Sequence, residues 1–335
     1  MKLYQLQAKS GFDSLTLVER PQPQPSYGQV LVRVRATSIN YRDLIIARGQ
    51  NPSIKFPVVP MSDGAGDIVA VGEGVTSVKV GDRVAGIFFQ DWLAGGITQP
   101  VMKSALGGEI DGMLAEYVVL SQDGVVILPN HLSYEEGATL PCAAVTAWNA
   151  LVAQGNLTPG ETVLILGTGG VSIFALQFAK MHGARAIVTS SSDEKLQQAV
   201  ELGASEIINY KRIENWEEKV LQLTLGVGVD QVVEVGGAGT LAKSLQAVRY
   251  GGQVNLIGVL SGFGGEINPM PILQKSIRLQ GIYVGSRAMF SAMNRAISQA
   301  QLKPVIDRVF PFTEARDAYE YVQSGSHLGK VVISF

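Results

Sequence analysis

The sequence predicts an α/β chain in which a doubly wound parallel sheet is inserted into a β-rich domain. Three observations carry this. From Thr162 to Ile257 short apolar runs alternate with stretches of helical spacing, the rhythm of successive βαβ units. Residues 1–125 are rich in Gly, Pro and Val and alternate apolar with charged positions, as half-buried strands do. A mixed texture returns over residues 301–335 and reads as the chain rejoining its first part. The expected organisation is therefore a β-rich domain over 1–125, a nucleotide-binding type of domain over 126–300, and a C-terminal return over 301–335.

In the first region Gln29 to Ala36 (QVLVRVRA), Ile68 to Val71 and Asp82 to Ala85 read as short strands between turns, and the region as a whole reads as all-β. Ser133 and Glu136 stand three apart, as in a capping box, and predict a helix continuing through Leu151. Strands are then expected at Thr162–Leu166, Ala186–Thr189, Glu206–Ile208, Asp230–Val235 and Gln253–Ile257. Helices are expected at Val171–His182, Asp193–Leu202, Glu214–Thr224 and Leu241–Val248. A last helix, Thr313–Gln323, and a last strand, Val331–Ile333, close the chain.

Composition narrows the class. The chain has 335 residues, 46% of them hydrophobic and 17% charged, enough apolar material for about two domains with buried cores. A net charge of −2 and the lack of any Lys/Arg tract argue against a nucleic-acid partner. The opening MKLYQLQAK lacks the apolar segment of a secretory signal, and no apolar run approaches the ~18 residues of a membrane span. A cytoplasmic protein with no membrane partner is expected. The single cysteine, Cys142, has no partner for an internal disulfide.

The chemistry-bearing feature is the stretch TVLILGTGGVSIFALQFAK, Thr162 to Lys180. A buried strand runs into Gly167-Thr168-Gly169-Gly170-Val171-Ser172 and then directly into an apolar-faced helix. Gly167 suits a tight turn, and Gly169 lets the backbone approach a pyrophosphate held at the positive helix end. The third glycine of the full dinucleotide pattern falls at position 172, where serine, also small, preserves close packing. A partial pattern is weak alone, and its place inside a βαβ rhythm strengthens it. The competing reading is a glycine turn of another α/β fold.

A carboxylate ~20 residues past the first glycine marks NAD binding, because it takes the ribose 2′-hydroxyl. Here the strand near position 187 ends in Ser190-Ser191-Ser192, and the first acid, Asp193, already opens a helix. Hydroxyls and a nearby cation, Lys195, suit a 2′-phosphate, so NADP(H) is the expected cofactor. The alternative is that Ser191 or Ser192 only caps the helix and Lys195 is solvated. For metals the inventory is one Cys and three His, namely His131, His182 and His327. Catalytic zinc needs three protein ligands and structural zinc four, and no such arrangement is visible, so no metal is expected.

These residues resemble the medium-chain dehydrogenase/reductase superfamily, and within it the zinc-independent, quinone-oxidoreductase-like or alcohol-dehydrogenase-like branch. The resemblance spans essentially the whole chain. It rests on Gly64-Ala65-Gly66, Val71-Gly72-Glu73-Gly74-Val75, Val80-Gly81-Asp82-Arg83-Val84 and Leu140-Pro141-Cys142 with Thr146-Ala147-Trp148. It continues through the Gly167 turn with Gln177 and Lys180, then Leu202-Gly203-Ala204, Val229-Asp230, Gly251-Gly252 and Gly329-Lys330-Val331-Val332. It implies a GroES-like domain carrying an inserted Rossmann domain, with the active site in the cleft between them. It also implies a homodimer joined through the strand near Arg278 to Val284. Zinc-containing members carry a Cys-His pair and a Gly-His-Glu motif where this chain has Asn40-Tyr41 and Met61-Ser62-Asp63. Cys142 matches a third ligand position. The resemblance sets Asn40 and Thr146 near a nicotinamide, and Ser190, Ser191, Lys195 and Tyr210 around a 2′-phosphate. It sets Val235, Gly236, Gly237, Gly258, Gly285 and Ser286 along the cofactor groove, beside Gly167, Gly169, Gly170 and Val171. It sets Lys330 on the pyrophosphate.

With the cofactor carrying the hydride chemistry, the protein must orient and polarise the substrate. Tyr41 is a candidate proton donor and Asn40 a candidate hydrogen-bond donor to a carbonyl. Alternatively Tyr41 only packs, and Arg42–Asp43 is a local pair. Phe88, Phe89 and Trp92 read either as an apolar acceptor pocket or as core or dimer packing. The expected activity is NADPH-dependent reduction of a quinone, an enone or another small carbonyl. The competing readings are a zinc-type alcohol dehydrogenase and a non-catalytic NADPH-binding protein.

Overall fold

The computed structural model describes residues 1–262 and 264–335 and divides into two compact units. The first comprises Met1–Val145 with Gly285–Phe335, the second Thr146–Val284.

In the first unit, a seven-stranded sheet runs Ile306–Pro311, Lys330–Ser334, Gln29–Ile39, Asp63–Val71, Arg83–Gly86 and Val125–Ile127, with the seventh strand, Tyr117–Ser121, paired off this path to Gln29–Ile39. The C-terminal return is thus a strand exchange at the heart of the sheet: Lys330–Ser334 lies antiparallel on Gln29–Ile39, Val331 opposite Ile39. Leu3, Leu6, Leu44, Ile46, Met61, Tyr319 and Ile333 meet in its core. The all-β expectation fails at helices, the short turn of Gln99–Met102 and the longer Tyr41–Ala47 among them. Helix α1, Tyr41–Ala47, leaves the end of Gln29–Ile39, and the Asp43 carboxylate reaches back to the Asn40 N–H at 2.8 Å. Its buried face is Asp43, Leu44, Ile46 and Ala47, a spacing too short to stand out as a helical period in the sequence.

The second unit holds six parallel strands, β1 (Thr162–Leu166), β2 (Arg185–Ser190), β3 (Glu206–Asn209), β4 (Val229–Glu234), β5 (Val248–Leu256) and β6 (Arg278–Gly281). Their order across the sheet is β3-β2-β1-β4-β5-β6, every neighbouring pair parallel. This is the doubly wound order, with its direction reversing between β1 and β4. The continuous apolar run of β1 follows from burial on both faces. Helix α2 (Gly170–Met181) follows β1, and helix α3 (Asp193–Leu202) follows β2. Ser192 caps α3, its Oγ accepting from Lys195 N, and Gly203 ends it in the left-handed conformation at φ 113°.

The domain limits differ from the expected 126–300. Val125–Ile127 pairs with Arg83–Gly86, and the helix Arg287–Ala300 supplies donors to its carbonyls, Arg287 Nε to Val125 and Asn294 Nδ2 to Ile127. These bonds tie residues 126–145 and 285–300 to the first unit. The helix begun at the Ser133–Glu136 capping box forms Tyr134–Ala138, then widens into π-type turns at Leu140–Ala144 and Asn149–Gln154. Pro141 lacks an N–H to donate, which favours the wider turn there.

Candidate functional site

In the second unit the expected cofactor residues gather along the carboxyl ends of the parallel strands. β1 ends at Leu166 and turns at Gly167, whose φ of 75° suits a residue without a side chain. Ser172, at the third position of the pattern, is 2% exposed, and its Oγ donates to the Leu166 carbonyl at 2.7 Å. The serine thus ties the start of α2 to the end of β1. A Cβ added at Gly169 would meet nothing within 4 Å, so open space lies before the helix N-terminus that Gly169, Gly170 and Val171 begin. Across the reversal point, Val235 Cγ2 lies 3.9 Å from where a Cβ at Gly167 would stand.

The turn beyond β4 is built on one carboxylate. Glu234 is fully buried, and its Oε1 accepts from Gly236 N at 2.7 Å, Gly237 N at 3.0 Å and Thr240 Oγ1 at 2.6 Å. Ser244 donates to its other oxygen. The turn then packs on the loop after β5. Gly258 comes so close to the Val235 carbonyl that a Cβ there would lie 2.4 Å from the oxygen, and Ser261 N donates to Gly236 O at 2.8 Å. Val235, Gly236, Gly237 and Gly258 therefore form one backbone wall. Sequence reasoning missed Glu234. Its signal was an acid directly after the apolar pair Val232-Val233 at the end of a parallel strand.

At the end of β2, Ser190 is buried and Ser191 half-buried, and Tyr210 N donates to the Ser190 carbonyl at 3.1 Å. Three of the four residues expected around a 2′-phosphate thus share one strand end, and Lys195 lies in the first turn of α3. The first acid beyond β2, Asp193, is held by Asn209 Nδ2 at 2.7 Å and by the Arg212 guanidinium. Arg212 was not anticipated, although it stands two residues past Tyr210. Thr146, 3% exposed, opens the second unit.

The first unit brings Asn40 and Lys330 together. Lys330 is 2% exposed, and its Nζ donates to Asn40 Oδ1 at 2.6 Å and to the Ile39 carbonyl at 2.7 Å. The fully buried Asp63 carboxylate lies 3.9 Å from the same ammonium. It accepts from Ser62 Oγ at 2.9 Å and Ser38 Oγ at 3.2 Å. Burial raises the Asp63 carboxyl above its usual range, with Lys330 and these hydrogen bonds opposing. Burial, reinforced by Asp63, raises the Cys142 thiol well above its usual range. Tyr41, by contrast, is 39% exposed at the first position of α1. Gly285 and Ser286 begin the helix Arg287–Ala300, where Ser286 Oγ accepts from Met289 N at 3.3 Å.

The aromatic pocket resolves as core. Phe88, Phe89 and Trp92 are all buried, the rings of Phe88 and Phe89 meeting edge-on at 4.6 Å and those of Phe89 and Trp92 at 6.1 Å. Arg42 lies 4.6 Å over the Phe88 ring and donates to the Leu106 carbonyl at 2.8 Å. The rings thus satisfy one another edge-to-face, with a cation over the first. Among the described residues, no three His, Cys, Asp or Glu side chains are grouped to hold a metal ion. His182 Nδ1 bonds the Phe178 carbonyl at 2.9 Å, and His131 Nε2 the Leu302 carbonyl at 3.0 Å.

Two family models match. Residues 26–130 match the alcohol dehydrogenase GroES-like domain, and residues 170–299 the zinc-binding dehydrogenase domain. A zinc-type alcohol dehydrogenase-like protein of Schizosaccharomyces pombe is 47% identical over 97% of this chain and 96% of its own length. A quinone oxidoreductase of Sus scrofa is 31% identical over 93% of this chain and 90% of its own. A mycobacterial structure solved as a complex with NADPH superposes with a TM-score of 0.85 at 26% identity, covering all of both chains. Matched along nearly its whole length, with the doubly wound sheet and the GroES-like domain both in place, the chain belongs to the medium-chain dehydrogenase/reductase superfamily and is an oxidoreductase of that family.

Proposed function

We propose that this oxidoreductase uses NADPH to reduce a quinone, an enone or another small carbonyl acceptor, and does so without zinc. The observation that carries the cofactor reading is the end of β2. Hydroxyls of Ser190 and Ser191 stand there in place of a carboxylate, and the nearest acid, Asp193, is neutralised by Arg212. A carboxylate at that strand end would repel a 2′-phosphate, and this arrangement does not. The open space over Gly169, at the N-terminus of the twelve-residue helix α2, suits a pyrophosphate. The NADPH complex of the mycobacterial neighbour supports the same choice.

Bound there, the nicotinamide supplies the hydride. The chain's own part is orientation and proton supply. The wall of Val235, Gly236, Gly237 and Gly258, braced by Glu234, shapes the groove. Asn40 and Thr146 are the residues we assign beside the reacting ring, with Gly285 and Ser286 along the groove. Tyr41, exposed enough to meet an acceptor, is our candidate proton donor.

The zinc in the second family description does not fit these residues. The matching positions offer an amide (Asn40), a hydroxyl (Ser62), a buried carboxylate already facing an ammonium (Asp63) and the chain's single thiol (Cys142). Zinc takes thiolate, imidazole or free carboxylate. We also read the chain as a cytoplasmic homodimer joined along β6. That strand lies at the sheet edge, and Leu279 and Tyr283 beside it are exposed. No helix of the described residues is long and apolar enough to cross a membrane.

The deciding experiment is a fluorescence titration of the purified protein with NADPH and with NADH, followed by a panel of quinones, enones and aldehydes. Tighter NADPH binding with turnover of one acceptor class supports the reading. Preference for NADH refutes the Ser190–Ser191 assignment, and binding without turnover of any acceptor refutes the enzymatic one.

A further inference from the structure

Among the described residues, Lys330 is the one buried lysine or arginine. A lysine 2% exposed is costly unless its charge and all three N–H donors are engaged. Here two donors go to the Ile39 carbonyl and Asn40 Oδ1, at 2.7 and 2.6 Å, and Asp63 Oδ2 stands 3.9 Å away. This shell of oxygens is drawn from three separate segments: the end of Gln29–Ile39, the start of α1 and the start of Asp63–Val71. Asn40, Ser62–Asp63 and Cys142 are also the positions that match metal-ligand positions of zinc-containing relatives.

We propose that the Lys330 ammonium is the resident cation of this site, standing where such relatives hold a metal and balancing Asp63, so that the folded chain admits no divalent ion there. Two arguments support it. A second cation set among Asn40, Asp63 and Cys142 would face the ammonium directly, and like charges at such separations are strongly unfavourable away from water. The donors that remain are also few: Asn40 already gives its oxygen to Nζ, and Cys142 is the chain's single thiol. The consequence for the amide is specific. Lysine offers only donors, so Asn40 must turn its oxygen toward Nζ and its NH₂ away. The proposal rests on the metal-free reading given above and is independent of which nicotinamide is used.

The test needs no substrate. Wild-type protein grown with added zinc is assayed for metal content and titrated with Co²⁺ while recording thiolate-to-cobalt absorption. Thermal unfolding is compared for wild type, K330M, D63L and the K330M/D63L pair. The expected result is no stoichiometric metal and no thiolate band in the wild type. Each single variant should lose on the order of 10 °C in Tm, since each leaves a buried charge unpaired, and the double variant should recover most of the loss. If a single variant does not fold, recovery of folding in the pair reads the same coupling. One zinc per chain with a Co²⁺–thiolate band in the wild type would overturn the proposal. So would single-variant losses that simply add in the pair. A K330M protein of unchanged Tm with weakened NADPH binding would do so too, by returning Lys330 to the cofactor's pyrophosphate.

Discussion

Glu234 Oε1 lies 2.7 Å from the amide nitrogen of Gly236, and this one carboxylate also holds Gly237, Thr240 and Ser244. A buried acid that satisfies four donors of one turn determines the shape of that turn. Replacing it by leucine strands those donors, each costing roughly 1–3 kcal/mol when buried without a partner. E234L is therefore expected to lose about 3 kcal/mol or more in urea unfolding and to bind cofactor more weakly. E234Q keeps an acceptor at the same place and should lose about 1 kcal/mol. Equal stability of E234L and wild type would show that the turn holds itself.

At the end of β2, S191D introduces the carboxylate that the sequence lacks there. Repulsion of a 2′-phosphate predicts at least about a tenfold weaker NADPH Kd, ~1.4 kcal/mol, with NADH binding unchanged or improved. Ser191 is half-buried, so the fold should tolerate the change. Parallel titration with both cofactors reads the difference directly.

Ser192 is a cap and nothing more in this account. Its Oγ accepts from Lys195 N at 3.3 Å. S192A should cost ~1 kcal/mol of stability, seen as a lower Tm, and leave the NADPH-to-NADH preference where it was. A changed preference would give Ser192 a part in the cofactor site.

Tyr41 is the test of the proton-donor assignment. Y41F keeps the ring and removes only the hydroxyl, at a residue 39% exposed. Stability should change by less than about 0.5 kcal/mol, as for other surface changes. The kcat for an accepted carbonyl should fall by about 100-fold, within the usual range for a general acid. An unaltered kcat would remove Tyr41 from the mechanism.

Asp43 makes stability depend on pH. It is fully buried, and burial, opposed first by Arg42, pushes its carboxyl up to about 6. The native state therefore holds a proton that the unfolded chain releases near the ordinary carboxylate value. Between about pH 4 and 6 the native state binds more protons, so this group's contribution to stability is greatest at low pH and is lost as pH rises through that window. Relative to D43N, wild type should lose roughly 3 kcal/mol from pH 4 to pH 7, two units at about 1.4 kcal/mol each. Denaturant unfolding of both proteins across that range measures it, and parallel curves would refute the assignment.

The doubly wound sheet was legible because its central strands are buried on both faces and write apolar runs, as in Val163–Leu166 and Val232–Val233. The Gly167 turn and the Ser192 cap were legible because both act within a few residues of chain. The order β3-β2-β1-β4-β5-β6 is written in no local signal and is decided by the tertiary structure. α1 was not legible, because seven residues give too few turns to show a period. The pocket reading of Phe88, Phe89 and Trp92 could not be separated from core, because an apolar ring looks the same in sequence whether it faces a ligand or another ring. Lys330 shows the limit most clearly. From sequence it is a basic residue opening a final strand, open to solvent or to a pyrophosphate. Its burial against Asn40 and Asp63 exists only because Lys330–Ser334 pairs with Gln29–Ile39, joining segments 291 residues apart. Sequence determines what is periodic or local, namely strand runs, turns and caps. Only the tertiary structure decides which distant charges share one buried place, because that depends on register between strands that no short stretch of sequence records.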